Sequence, residues 1–389
     1  MNRALPVLTA CAYIALLAGF KATPRYNSLD LALLPCETGS CTIFFRASEF
    51  DADGDRPYEH QTAALKSQFE SPPPVINVIV FMHGWNKNPS SAELDYQNFL
   101  CRLHARLRDY IGNTKRAGGL LALGVFWPST ITNRDKEPIL LKPISYFRIR
   151  KRVDHIAETG LANLLTELTP ALERSGGGTR VRVHLIGHSF GGRMLVRAFE
   201  ILQKRGDFVP FLAASESINV VLINPALPAE RFDWIAEALR TENERKSSSR
   251  FAPDTASYLF NVHSFNDSVN RVLFPIASVF SDDPVGCAAG ACGVPGYATV
   301  CVDATGALLP ERPDATERDA PGQFLNAWII DATKIDFDHG DIYKGRVATL
   351  VADLLYDDKA RDRFPRAAAA TQGRSRSACA AAFTPPSSP

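Results

Sequence analysis

Gly187-His188-Ser189-Phe190-Gly191 constrains this chain more than any other stretch, because of what flanks it. Val181-Arg182-Val183-His184-Leu185-Ile186 ahead of it reads as a buried strand, and Gly192 to Phe199 behind it opens a helix. A strand that turns directly into a helix brings backbone close to backbone, so residues without a bulky Cβ are needed at Gly187 and Gly191. The Ser between them then projects its hydroxyl from the sheet edge, with a helix N-terminus beneath it. A G-x-S-x-G match alone arises often by chance. The strand before it and the helix after it give it weight, and favour a nucleophile elbow over a Gly-rich phosphate-binding turn or a plain loop.

A Ser hydroxyl attacks only when a base takes its proton, and the base needs a carboxylate to orient it. In the fold built round such an elbow, acid and His follow the Ser, each just past a later strand. Three strand-like runs follow Ser189: Ile218 to Ile223, Tyr258 to Val262 and Phe324 to Ile330. Asp267 lies past the C-terminal end of the second; a helix N-cap before Val269 is its other reading. His339 lies between the third run and a last amphipathic helix carrying Val347, Leu350, Val351, Leu354 and Leu355. The other His are less well placed. His184 lies inside the elbow strand, His104 and His155 lie on helices, and the His188 ring points away from the nucleophile. His263 is the rival base, but reads better as a satisfied sheet residue.

Acyl transfer also needs donors aimed at the developing oxyanion. One is the backbone N–H of Phe190. The other should come from a loop after an earlier strand. Val75 to Met82 is nearly continuous apolar sequence, as a strand buried on both faces should be, and it ends in His83-Gly84-Trp85-Asn86. Gly84 lets the backbone turn in, and the N–H of Trp85 is the second donor.

The Val-Ile-Val-Phe-Met-His-Gly-Trp block, Gly-His-Ser-Phe-Gly-Gly, the Asp267 strand end and the His339 loop together resemble an α/β-hydrolase of the serine esterase/lipase group. The likeness runs from about Val75 to Leu355, and is to bacterial hydrolases with a His-Gly-Trp loop followed by Asn-rich sequence. It implies a mostly parallel sheet with helices on both faces, Ser189 as nucleophile, His339 as base, Asp267 as orienting acid, and Trp85 and Phe190 as oxyanion donors. The implied reaction cleaves a small-molecule or lipid carboxylic ester through an acyl-enzyme, without cofactor or metal. Acyl transfer, amide cleavage and non-catalytic ligand binding stay open. The single-Gly loop departs from the Gly-rich loop of many carboxylesterases, so their substrates are not carried over.

Elsewhere the chain alternates strand and helix, implying one large α/β domain over residues 23–360. Leu31 to Leu34 and Thr42 to Phe45 read as first strands, with an antiparallel edge open to them. A capping box at Ser90-Ser91-Ala92-Glu93 predicts a helix with Phe99, Leu100, Leu103, Leu107, Tyr110 and Ile111 on one face. Leu120 to Trp127 predicts a strand stopped by Pro128, and a later helix carries Val153, Ile156, Leu161, Leu164, Leu165 and Leu168. Ala229 to Arg245 predicts another helix. The connectors Pro128 to Phe147 and Ser281 to Gln323 read as long loops that either roof the pocket or decorate the surface. Residues 361–389, rich in Ala, Ser and Pro, read as disordered.

The 46% apolar content suffices for a core, and the net charge of +1, with both signs interspersed, excludes a nucleic-acid surface. Residues 1–22 contain an uncharged run, Ala4 to Phe20, which suits a signal sequence or membrane anchor better than a buried helix. The protein is therefore expected to be exported or membrane-anchored. Cys36 and Cys41 bracket a turn, and Cys287, Cys292 and Cys301 cluster in a Gly/Pro-rich loop. Such spacings suit disulfides in an oxidising compartment, with connectivity undetermined, better than zinc ligation, which would want neighbouring His.

Overall fold

The structure, a computed structural model, describes residues 43–70, 75–111, 119–130, 142–174, 181–226, 230–248, 256–264, 298–302, 327–335, 341–343 and 345–356. Their strands are β1 (Ile43–Glu49), β2 (Val75–Met82), β3 (Gly119–Phe126), β4 (Arg182–His188), β5 (Ser217–Ile223), β6 (Tyr258–His263), β7 (Ala298–Cys301) and β8 (Ala327–Asp331). They form one sheet in the order β1-β3-β2-β4-β5-β6-β8-β7. Every pairing is parallel. The helices are α1 (Glu59–Glu70), α2 (Pro89–Ile111), α3 (Lys142–Ile156), α4 (Ala162–Arg174), α5 (Phe190–Arg205), α6 (Phe208–Ala213), α7 (Glu230–Ser248) and α8 (Gly345–Tyr356).

Successive strand side chains point to opposite faces, so β2 feeds two cores at once. Val78, Val80 and Met82 meet Ile156, Leu164 and Leu195, from α3, α4 and α5. Ile79 and Phe81 meet Tyr96, Phe99 and Leu103 of α2 and Val351 and Leu354 of α8. Fully burying each such side chain is worth about 1.5–3 kcal/mol, which is why β2 can be apolar on both faces. The expected sheet covered on both faces is thus the sheet observed.

Several local expectations are corrected. β1 pairs with β3 in parallel, not as an antiparallel edge, and Leu31 to Leu34 and Thr42 lie outside the described residues. The cap of α2 is Asn88, whose Oδ1 accepts the Ser91 N–H at 2.7 Å, rather than a box at Ser90. Asn at the cap followed by Pro89 satisfies one orphan donor and puts the residue without an N–H where none is needed. The helix expected across Val153 to Leu168 is interrupted by a wider π turn, Ala157–Leu161. There Gly160 lies so close to the β1–α1 loop that a Cβ would stand 2.7 Å from the Gly54 carbonyl. Tyr146 and Phe147 belong to α3, not to a connector. The loop expected over Ser281 to Gln323 contains β7, a parallel edge strand beside β8. The rest of that loop except Val302, and residues 1–22 and 361–389, lie outside the described residues.

One buried ion pair joins the elbow helix to α3. Arg193 donates from Nε and Nη2 to the two Asp154 carboxylate oxygens, each at 2.7 Å. Arg152, two residues before Asp154, donates to the Pro128 and Thr130 carbonyls at 2.6 and 3.0 Å, so α3 also holds the chain leaving β3. The Arg193 side chain is 4% exposed against 31% for Asp154, so the cation bears the larger desolvation and relies on the fork. Asp154→Ala should therefore lower the unfolding free energy by about 2–3 kcal/mol, and Arg193→Met, which leaves the half-exposed carboxylate to water, by less; chemical denaturation of both variants checks the order.

Candidate active site

Met82 on β2 and Gly187 on β4 are register partners, so the chain turns following these strands leave the sheet side by side. Ser189 follows β4 at φ 53° and ψ −118° and stands at the N-cap of α5. This is a costly backbone conformation for a residue with a Cβ, and neighbouring bonds hold it. The Ser189 amide donates to the Ile223 carbonyl at 3.0 Å, and its own carbonyl accepts from Ala226 and Arg193 at 3.1 and 3.2 Å. A Cβ on Gly191 would stand 2.3 Å from the Met82 carbonyl oxygen, and one on Gly187 would stand 2.6 Å from the Gly192 Cα. Glycine is required at both places, as the sequence pattern implied.

The turn after β2 passes directly over this elbow. A Cβ on Gly84 would lie 2.7 Å from His188 Nδ1 and 3.0 Å from the Ser189 Cβ. Trp85 follows, and among the described residues no acceptor is bonded to its amide. Phe190 is the first residue of α5, so its amide has no carbonyl one turn back to bond. Neither the Trp85 nor the Phe190 amide thus has a bonded acceptor among the described residues, and the positive end of the α5 dipole lies at Phe190. The Trp85 ring stands edge-on to Tyr146 and Phe190, with centroids 6.4 and 6.3 Å away, forming an aromatic wall next to the serine.

Bonds behind the turn fix its path. Asn86, at φ 64°, donates its amide to the Ser129 carbonyl at 3.0 Å. Ser129 Oγ accepts from the Lys87 amide and donates to the Lys87 carbonyl, both at 2.9 Å. His83 is fully buried and stacks on Trp127, with centroids 5.4 Å apart and planes 12° from parallel. Its Nδ1 lies 2.8 Å from the Gly84 carbonyl, and its Nε2 faces the Trp127 amide at 3.4 Å. The first contact needs a proton and the second a lone pair, so the ring is neutral with its proton on Nδ1. Burial agrees, pushing its pKa down to about 3 despite the Gly84 carbonyl, with Lys87 lowering it further.

Three other His lie on strands of the sheet. His184 bridges Asn77 Oδ1 and Asn219 Nδ2 at 3.2 and 3.1 Å inside the sheet. His188 is buried against Tyr343, with Nδ1 3.5 Å from the phenol oxygen. His263 ends β6 opposite Asp331 of β8, two strands from the elbow strand. Burial holds its pKa down against the Asp331 charge. Asp267 and His339 lie outside the described residues, as do Cys36, Cys41, Cys287 and Cys292.

Sequence reasoning missed Tyr343, Asn86 and Asn224. Asn224 ends β5 at φ 43° and accepts the Ser264 amide at 3.0 Å. It missed too that Cys101 on α2 is disulfide-bonded, which no local spacing signalled. Cys301 is the last residue of β7 rather than a loop residue. Among the described residues, no group of three or more His, Cys, Asp or Glu could hold a metal ion. Nor is any helix there long and apolar enough to cross a membrane.

A parallel sheet with a strained serine between β4 and α5, and a glycine turn from the adjacent β2 laid across it, defines an α/β-hydrolase fold. Neither a family model nor a curated protein matches the sequence. Among solved structures, the Vlm2 thioesterase domain carrying 2,3-diaminopropionic acid and bound with a dodecadepsipeptide is similar at 14% identity. The match covers 74% of this chain and 95% of that one, at a TM-score of 0.27, a likeness too slight to assign an activity.

The neutral His83 gives a stability prediction with a definite sign. Its pKa is lower folded than unfolded, so acidification protonates the unfolded chain first. The contribution is complete above about pH 6.5 and is lost as the pH falls toward about 3. Between pH 6 and 4 the unfolding free energy of wild type should fall more steeply than that of His83→Asn, by up to about 1.4 kcal/mol per pH unit, in urea titrations at each pH.

Proposed function

We propose that this protein is a serine hydrolase that cleaves carboxylic esters. The observation that carries the proposal is Ser189 held at φ 53° just past β4, against the Gly84 turn that leaves the adjacent parallel strand β2; the Phe190 and Trp85 amides are assigned as the oxyanion donors. His339 is assigned as the base and Asp267 as the carboxylate that orients it. In this reaction Ser189 Oγ attacks the ester carbonyl while His339 takes its proton. The two amides stabilise the oxyanion, each worth on the order of 3 kcal/mol. The intermediate collapses as His339 protonates the departing alcohol, leaving an acyl-serine. Water, deprotonated by the same His339, then releases the acid and restores the serine.

The aromatic wall of Trp85, Tyr146 and Phe190 supports an apolar group on the ester, as in a small-molecule or lipid substrate. We further propose that residues 1–22 direct the chain out of the cytosol or anchor it to the membrane; the disulfide at Cys101 supports an oxidising compartment.

Hydrolysis of p-nitrophenyl esters of increasing chain length tests the assignment. Ser189→Ala and His339→Ala should each lower kcat by roughly 10⁵–10⁶, and Asp267→Asn by about 10⁴. A fluorophosphonate should label wild type and leave Ser189→Ala unlabelled. Equal hydrolysis by wild type and Ser189→Ala would overturn the assignment.

A further inference from the structure

The distance between the oxyanion turn and the elbow decides whether the two amides can act together, and the inference drawn from it rests on the hydrolase reading. Both are backbone turns at strand ends. Tyr343 lies against both. It ends the short 3-10 helix Asp341–Tyr343, four residues past His339, and is 5% exposed. Its phenol oxygen lies 3.5 Å from His188 Nδ1, with the two rings edge-on at 5.9 Å. The Gly84 backbone acts on the same phenol, opposing the rise that burial causes in its pKa. Tyr343 therefore meets both the turn that carries Trp85 and the residue before Ser189.

The chemistry of the phenol suits a fixed strut. Burial, and next the negative charge of Asp95, hold its pKa well above the usual tyrosine value, so it keeps its proton. That proton faces His188 Nδ1. The Tyr343 ring is held in turn by Phe81 at 6.1 Å. Lys87, on the far side of the oxyanion turn, places its ammonium 4.9 Å from the ring centroid while pairing with Asp95 at 2.5 Å.

We propose that Tyr343 is a positioning residue for catalysis: its hydroxyl, set against His188, and its ring, set against Lys87 of the oxyanion turn, fix how far the Trp85 amide stands from Ser189. It touches no reacting atom.

Tyr343→Phe keeps the ring and removes the hydroxyl. The expected result is a fall of about 10- to 100-fold in kcat with KM within about twofold, and a matching fall in the rate of fluorophosphonate labelling, since a misplacement near 1 Å costs on that order. A residue needed only for packing would leave kcat per folded molecule unchanged in Tyr343→Phe, and that result would overturn the proposal. Should this variant fail to fold, His188→Gln removes the contact from the other side, and an unchanged kcat in folded His188→Gln would overturn it equally. Wild type that neither hydrolyses esters nor takes the label would remove the hydrolase assignment and this role together. A labelled, active wild type beside an unaltered Tyr343→Phe would remove this role alone.

Discussion

Everything in this site depends on two parallel neighbours, β2 and β4, ending at the same height. Their register pairs Met82 with Gly187, so the turns beyond them have no space between them. Gly191 is pressed against the Met82 and His83 carbonyls, and Gly84 against His188 and Ser189. With side chains at these points the two turns would have to part. The register is set far from the site, by the alternation that sends Val78, Val80 and Met82 to one core and Ile79 and Phe81 to the other. A slip by one residue would reverse both faces, so the register is strongly specified.

Packing fixes where the turns begin, and polar bonds fix the path they take. His83, Tyr96, Trp127 and Ser129 form a buried scaffold behind the oxyanion turn. The Tyr96 hydroxyl accepts the His83 amide at 3.1 Å, and the Trp127 indole donates to the His83 carbonyl at 3.0 Å. These groups come from β2, α2 and the end of β3, so three segments must fold before the turn has a defined shape. Matched hydrogen-bonding partners in a site of low dielectric leave little freedom to rearrange.

Much of the frame was legible because the strands are long apolar runs. Asn77 to Met82, Leu120 to Phe126 and Ile218 to Ile223 are buried on both faces, and few other structures use such segments. The elbow was legible because a turn this tight leaves few residue choices. β7 was not, since Ala298 to Cys301 is a four-residue edge whose pairing with β8 no local pattern encodes. The cap at Asn88 was passed over for Ser90, because both lie within reach of the helix start and only coordinates decide between them. Tyr343 and Ser129 carried no signal at all: their role is to reach a backbone group distant in sequence, and spacing along the chain cannot express that. Asp267 and His339 came from chain order alone, and lie outside the described residues.

Strain is concentrated at the same rim. The non-glycine residues with positive φ among those described are Asn86, Ser189 and Asn224, which lie just past β2, β4 and β5. At roughly 1–3 kcal/mol each, their combined cost is a substantial part of the 5–15 kcal/mol that stabilises a typical domain, so it persists only where neighbours over-determine each residue. Ser129 holds Asn86, Ile223 and Ala226 hold Ser189, and Val262 holds the Asn224 amide. Asparagine tolerates the left-handed region because its short side chain can bond locally, whereas serine has less to offer there. The position where the backbone is least suited to its residue is therefore Ser189. A packed sheet edge bears that cost without an evident gain in stability, as expected where the geometry serves reactivity instead.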